Sequence, residues 1–292
     1  DKSQPSLMVM LDYGEFEEKQ KLNLTEVKIK IKELSSSGKV RVAVVGAGSF
    51  AVNTHLPNLS QAKNKFVIHT ILDHKGANAK NVADQFGAKY ATTSFHEILQ
   101  DPEIDLVFIT TRHDSHASMV LQALKAGKHV FAEKPVAVDA PGVRSILETC
   151  NLAKEKNLSI VSGLCWRYDY MVKDLVGKIM DGYIGDITAI QENYLTGLLW
   201  QKNREKDWTE MHYQLKNWLY FHWLSGDHIA EQHIHSLDKA MWLMGDTPPM
   251  KAYGCGGRQT RTDARFGNVY DHFAVCYEWA NGVKTFAYCR QQ

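Results

Sequence analysis

The apolar run His-Val-Phe-Ala leads into Glu133, Lys134 and Pro135, and a later stretch reads His228-Ile-Ala-Glu231-Gln-His233-Ile-His235. An ammonium group at the end of a strand can hydrogen-bond a substrate hydroxyl and follow the charge on its oxygen as a hydride leaves. In the second stretch Glu231 and His235 stand at i and i+4, on one face of a helix, with His228 two turns before His235. An imidazole with its ordinary pKa of about 6.5 suits proton traffic near neutral pH, the more so beside a carboxylate. A cation between His228, Glu231 and His235 is the rival reading. With no second cluster to complete a coordination shell, acid–base chemistry without a metal is preferred. Lys134, His235 and Glu231 are therefore the catalytic candidates, and the role of His233 stays open.

A second group could hold phosphate. Gly46-Ala47-Gly48-Ser49-Phe50-Ala51 follows the strand-like run VRVAVV and opens a helical pattern. The first glycine allows the tight turn, and the second lets backbone approach a pyrophosphate. Ala51 replaces a third glycine where helix and strand pack closely. The helix start aims free N–H groups at the phosphates. Asp73 closes the next strand, where an acidic side chain binds ribose hydroxyls, and this favours NAD. His74 and Lys75 just beyond it could instead attract a 2′-phosphate, so NADP stays open.

A third group could grip a sugar. Trp166, Arg167 and Tyr168 follow the last strand of the first half, offering flat faces and a planar donor fork. Asn193, Asp227 and His228 are further candidates for substrate hydroxyls. Tyr194 and the tryptophans at 200, 208, 218 and 223 could wall the same pocket, although core packing is the commoner fate of a tryptophan.

These residues need a scaffold. Strand-like runs at 40–45, 66–73, 105–111, 129–135 and 158–164 alternate with helical periods at 49–60, 78–86, 115–126 and 140–156. Near-continuously apolar strands alternating with helices predict a parallel sheet covered on both faces, with ligands at the carboxyl ends of its strands. After residue 163 the rhythm changes. A helix is expected over 167–182, a strand over 186–195, an irregular Trp-rich insertion over 196–220 and a helix over 226–245. Long antiparallel strands should follow, with Ala280-Asn281-Gly282 as a hairpin turn. The fold expected is α/β, a Rossmann doubly wound parallel sheet followed by an α+β domain with a mostly antiparallel sheet. The boundaries read as an extension and linker over 1–38, a dinucleotide-binding domain over 39–163 and a substrate and oligomerisation domain over 164–292. Within 1–38, TEVKIKIKEL alternates with period two and could add an edge strand.

Composition limits the partners. The 292 residues are 44% apolar and carry 34 basic against 33 acidic side chains, a net charge of +1, so no overall field favours nucleic acid or a membrane surface. No apolar run is long enough to span a bilayer. Five cysteines without a C-x-x-C pair suggest the reduced thiols of a cytoplasmic protein. The first residue is not Met, which leaves open the export of a longer precursor.

The runs VAVVGAGSFA, ILD, DLVFITTRHDSHASMVLQALKAGKHVFAEKP and EQHIHSLDKAMWLMG together resemble the glucose-fructose oxidoreductase / inositol dehydrogenase family, whose members are NAD(P)-dependent sugar oxidoreductases. The resemblance runs from residue 39 to the end, and its most specific element is Glu-Lys-Pro after Ala-Gly-Lys-His-Val. It implies that Lys134 contacts the substrate hydroxyl and His235 takes its proton. It also implies that Thr110, Thr111, His113, His116 and Glu133 lie along the cofactor groove, and that a carbohydrate-like substrate and a homo-oligomer through the second sheet are involved. Two departures stand out: Glu231 where the family usually has Asp, and His233 where small residues are common. Relatives usually continue beyond the position of Gln292, so a chain ending there would leave the second sheet incomplete. The leading expectation is hydride transfer between a nicotinamide and a CH–OH carbon of a sugar, cyclitol or glycoside. The alternatives are an NAD-dependent glycosidase working by transient oxidation and elimination, and a non-catalytic binding protein.

Overall fold

The computed structural model describes Ile29–Lys30 and residues 38–292. The strands among them are β1 (Ile29–Lys30), β2 (Val40–Val45), β3 (Phe66–Leu72), β4 (Tyr90–Thr92), β5 (Leu106–Ile109), β6 (His129–Ala132), β7 (Ile160–Ser162), β8 (Ala189–Thr196), β9 (Lys251–Gly257), β10 (His272–Glu278) and β11 (Lys284–Gln291). The α-helices are α1 (Leu56–Gln61), α2 (Gly76–Phe86), α3 (Phe95–Gln100), α4 (His116–Lys125), α5 (Ala140–Glu155), α6 (Tyr170–Met180), α7 (Glu210–Lys216), α8 (His222–Ser225) and α9 (Ile234–Leu243). Wider π-helical turns, Ala51–His55 and Ile229–His233, lead into α1 and α9.

The first sheet has the order β1-β4-β3-β2-β5-β6-β7, parallel throughout except for β1, which runs antiparallel to β4. Along β2, Val42 and Val44 pack into one buried cluster with Leu56, Leu59, Ala79 and Val82. Ala43 and Val45 pack into another with Val120, Leu124 and Ile146. Both faces of this strand are thus covered from Val42 onward, which is why Val42–Val45 are all apolar, while Arg41 at the strand's start pairs with Asp105. The strand order reverses between β2 and β5, so their carboxyl ends diverge and leave the crevice in which such sheets bind ligands.

Two elements lie where no period is legible. β4 spans only three residues, too few to show alternation, and α3 is a short helix whose Ser94 cap accepts the Glu97 N–H at 3.4 Å. Within the expected edge strand, Ile29 and Lys30 pair with Ala91 and Tyr90, and the rest of that stretch lies outside the described residues.

The second sheet has the order β8-β11-β10-β9, antiparallel except where β8 runs parallel to β11. Its hairpin closes as expected at Asn281 and Gly282, with Trp279 N–H bonded to the Val283 carbonyl at 3.0 Å. The Trp-rich stretch is more ordered than its composition suggests. It contains α7, and Trp208 and Trp218 pack against a buried cluster of Tyr213, Tyr220, Phe221, Leu224 and Phe266. Among the described residues no helix is long and apolar enough to cross a membrane.

Candidate active site

Gly46 ends β2 at φ +96°, and a Cβ there would come within 2.9 Å of backbone atoms of Thr110 and Thr111. The glycine is required because the turn lies directly on the chain leaving β5. Thr110 closes the contact, its hydroxyl donating to the Val45 and Gly46 carbonyls at 3.1 and 2.7 Å, and so holds the turn instead of offering that group to a ligand. Asn78 donates to the Ala47 carbonyl at 3.0 Å. Gly48 behaves oppositely: a Cβ there would meet nothing within 4 Å, and Ser49 and Phe50 beside it are exposed. Ala51 is buried against the sheet. Asp73, at the carboxyl end of β3, accepts the Lys75 N–H at 2.9 Å, and the exposed His74 ring lies 3.2 Å away.

Across the crevice, β6 delivers Glu133 and Lys134. Glu133 Oε1 accepts from His55 Nε2 at 2.7 Å, and its Oε2 accepts the Lys134 N–H at 3.1 Å. Nothing in the sequence pattern singles out His55. It lies in the π-helical turn after the glycine loop, boxed by Phe50, Phe108 and Phe131. His116 is wholly buried, with Nδ1 2.8 Å from the Pro135 carbonyl and Nε2 3.1 Å from the Thr111 carbonyl. It ties the Lys134–Pro135 loop to the loop after β5 from beneath, so the expectation of a His116 side chain along the groove is corrected: no part of it is exposed. Burial lowers its pKa, and the neutral ring donates to one carbonyl at a time. The Thr111 hydroxyl is paired with Ser115 at 2.7 Å.

Lys134 reaches into the second domain. Its Nζ donates to the Glu231 carbonyl at 2.5 Å and to Glu231 Oε1 at 2.9 Å, and His113 Nε2 lies 3.6 Å from the same carboxylate. Burial alone would raise the Glu231 pKa. The His113 contact and the Lys134 charge overcome it and hold the carboxyl down at about 2. Glu231 is accordingly a counter-ion for Lys134, and its charge also acts on His235. Glu231 lies within a wide π turn before α9 and is bonded to the lysine, while its charge still reaches His235. The His235 pKa is lowered, first by burial and then by the Lys134 charge, and its Nδ1 has no hydrogen-bond partner among the described residues. A neutral imidazole with a free ring nitrogen therefore stands in the electrostatic neighbourhood of an ammonium group carried by the other domain.

Residues 40–163 match the family model described as oxidoreductase family, NAD-binding Rossmann fold. This part of the chain belongs to that family. An uncharacterized oxidoreductase of Streptococcus pneumoniae serotype 4 is 30% identical over 254 residues, covering 85% of this chain and 61% of the relative. An inositol 2-dehydrogenase/D-chiro-inositol 3-dehydrogenase of Lacticaseibacillus casei is 31% identical over 209 residues, covering 71% and 54%. The structure of an aldose-aldose oxidoreductase from Caulobacter crescentus complexed with glycerol shares the fold, with a TM-score of 0.71 at 20% identity over 86% of this chain and 71% of that one. The chain spans 61% and 54% of the lengths of the two curated relatives.

For a member of this NAD-binding family the crevice has the right shape and chemistry. The bare, exposed backbone at Gly48 would be the place for a pyrophosphate to approach, and Asp73, just after β3, would be the residue to bind ribose hydroxyls. The expected substrate wall fares less well. Both guanidinium edges of Arg167 are taken, by Asp238 at 2.8 Å and Asp246 at 2.7 Å, so that it braces α9. Trp166 and Tyr168 are 41% and 59% exposed on the turn before α6. The carboxylate of Asp227 accepts the N–H groups of His228 and Tyr270 at 2.6 and 3.0 Å, which leaves little of it to grip hydroxyls. Asn193 points to the exposed face of β8, because the pleat puts Glu192 and Tyr194 on the face toward the histidines. Glu192 replaces it as a candidate: burial pushes its pKa up to about 7, and Oε1 lies 3.5 Å from the buried His233. Alternation along β8 could have found it.

This buried layer fixes how stability depends on pH. Burial holds His228 and His233 at about 4, below the ordinary 6.5, and lowers His69, His116 and His235 too. The folded state then binds fewer protons than the unfolded chain below pH 6.5, so stability is lost as pH falls from there towards 4. Glu192 acts in the opposite sense, losing stability as pH rises from 4.5 to about 7, but the lowered histidines outnumber it. Thermal unfolding at constant ionic strength should show stability declining below pH 6.5 by about 1.4 kcal/mol per pH unit for each net proton. Glu192→Gln should gain on the wild type above pH 7. A flat profile from pH 7 to 5 would contradict the burial of these rings.

Proposed function

We propose that this protein is an NAD(P)-dependent oxidoreductase acting on a CH–OH carbon of a sugar or cyclitol. The observation that carries the reading is the meeting of Lys134, which follows β6 of the nucleotide-binding domain, with Glu231 on the π turn before α9, the helix that carries His235. Hydride exchange with the substrate carbon is the chemistry that a bound nicotinamide supplies. Lys134 has three N–H donors, of which Glu231 uses two, and the third is available to an alcohol or carbonyl oxygen. Glu231 keeps the ammonium aimed. The neutral imidazole of His235 accepts the hydroxyl proton in oxidation and returns it in reduction. Asp73 favours NAD, while His74 and Lys75 keep NADP in play.

One observation supports a second reading, the glycosidase. Glu192 and His233 form a buried carboxyl–imidazole pair separate from Lys134 and His235, and oxidation followed by elimination needs a further group to move protons. A chromogenic glycoside cleaved without net NADH formation would favour it over simple oxidation. Subunit contact through the open face of the second sheet belongs to the proposal, since Leu195, Tyr253, Phe286 and Tyr288 are exposed there. All five cysteines are unpaired, in keeping with a reducing compartment.

The first test is to denature the purified protein and identify any released nucleotide by mass, with titration of the emptied protein by NAD and NADP. Binding of either one supports the reading. If neither nucleotide is released and neither binds, the reading fails.

A further inference from the structure

The second domain buries a cation that the chemistry above does not use. Arg261 follows β9, is 1% exposed, and none of its Nε, Nη1 and Nη2 atoms has a hydrogen-bond partner among the described residues. Its guanidinium lies 5.4 Å from the Tyr220 ring and 5.9 Å from the Phe266 ring. Aromatic faces stabilise the charge but accept none of its in-plane N–H groups. The backbone beneath is fixed. Asp271 Oδ2 accepts the N–H groups of Gln259, Thr260 and Arg261, and the Arg258 guanidinium donates to the Arg261 carbonyl. Asp227 and Asp271 are near enough to feel the charge, yet their oxygens already hold backbone N–H groups and, for Asp271, the His272 ring. A buried guanidinium ordinarily has its charge and its donors met together, because leaving either unmet is costly.

Two other buried, unpartnered side chains belong to the same neighbourhood. Both ring nitrogens of His228 lack partners at 4% exposure, and burial, then the Arg261 charge, depresses its pKa. Gln291 is 1% exposed with its Nε2 unpartnered, and its backbone N–H donates at 2.8 Å to the carbonyl of Asp271, the residue that clamps Arg261. His228 lies three residues before Glu231, one turn from the Lys134 ion pair.

We propose that Arg261, with His228 and Gln291, forms an oxyanion subsite that takes the carboxylate of a sugar acid whose carbinol is presented to Lys134 and His235. The proposal rests on the reading of Lys134 and His235 as the place of the carbinol. A neutral hydroxyl would satisfy an N–H group and leave the charge unmet, whereas a carboxylate meets both and matches the planar fork in bidentate fashion. A phosphate ester shares the oxyanion chemistry, but its second charge would lie beside Asp227 and Asp271.

The test is equilibrium binding to the purified chain of D-glucuronate, D-gluconate, D-glucose 6-phosphate and D-glucose, at ionic strength matched with sodium chloride. At least one of the two acids should bind about 30- to 100-fold more tightly than glucose, the range expected for a charge-assisted pair inside a protein. Arg261→Gln should abolish the preference, and Gln291→Leu should weaken the acid about tenfold while leaving glucose unchanged. No acid preference in the wild type overturns the proposal even if Arg261→Gln does not fold, as does a preference retained in a folded Arg261→Gln. Preference for the phosphate ester overturns the choice of carboxylate. Lys134→Ala should keep the acid preference, because binding precedes chemistry. An acid preference in a protein that binds no nucleotide would therefore sink the oxidoreductase reading and spare this one. Nucleotide-dependent turnover of neutral sugars without an acid preference would do the reverse.

Discussion

Lys134→Ala should lower turnover by about 10²- to 10⁴-fold, the range for removing a group that moves or stabilises charge in the reacting state, while nucleotide affinity stays close to that of the wild type. The reason is positional: Lys134 Nζ is bonded to Glu231 of the second domain at 2.9 Å. The same substitution has a cost in stability. Among the described residues it leaves the Glu231 carboxylate, 10% exposed, with His113 at 3.6 Å as its remaining titratable neighbour in contact. Breaking a buried pair from one side typically costs about 3–5 kcal/mol. Lys134→Ala/Glu231→Gln should therefore recover much of the lost thermal stability without recovering turnover. Single-turnover kinetics and thermal unfolding on the same preparations separate the two effects. If the double variant regains activity, or if Lys134→Ala loses nucleotide as completely as turnover, Lys134 is a structural residue and the mechanism above is wrong.

The second large effect separates two glycines that look alike in sequence. Gly46→Ala places a methyl group within 2.9 Å of three backbone atoms of Thr110 and Thr111, at a φ of +96° that side chains rarely adopt. Neither strand end can yield without disturbing the sheet, so a loss of at least about 2–3 kcal/mol is expected, and nucleotide binding should fall with it. Gly48→Ala meets no atom of the protein within 4 Å and carries no positive φ. It should leave the thermal midpoint unchanged and weaken nucleotide about 10- to 100-fold, because the methyl group projects where backbone must approach the pyrophosphate. Equal effects of the two substitutions on stability would contradict the close approach at Gly46. An unchanged nucleotide affinity in Gly48→Ala would put the phosphates elsewhere.

Much of the scaffold was legible before any coordinates. Strands buried on both faces show it as mainly apolar runs without alternation, and β2 and β3 are such runs apart from Arg41, His69 and Thr70, so the parallel sheet follows from composition and order. β4 and α3 carry too few residues to display a period, and they emerge only because β3 provides the ladder that β4 joins. At the site, the residue types were readable and their partners were not. Glu231 and His235 looked like a pair because a regular helix puts i and i+4 together. In the structure Glu231 also meets a lysine 97 residues away, a partner no local spacing reveals. Asn193 and Glu192 are neighbours in sequence, and only the pleat of β8 in its sheet decides which of them faces the histidines.

By itself the sequence determined a nucleotide cradle at a strand end, a lysine at the end of β6 and a helix rich in histidines, because glycine spacing, apolar runs and helical period are local properties of the chain. The tertiary structure alone decided which charges meet. It gave Lys134 to Glu231, spent Arg167 on Asp238 and Asp246, withdrew His116 beneath the loop it holds, and buried Arg261 with no hydrogen-bond partner for its guanidinium among the described residues. Electrostatic partnership depends on distance and on exclusion of water, and both are set when separate segments pack together.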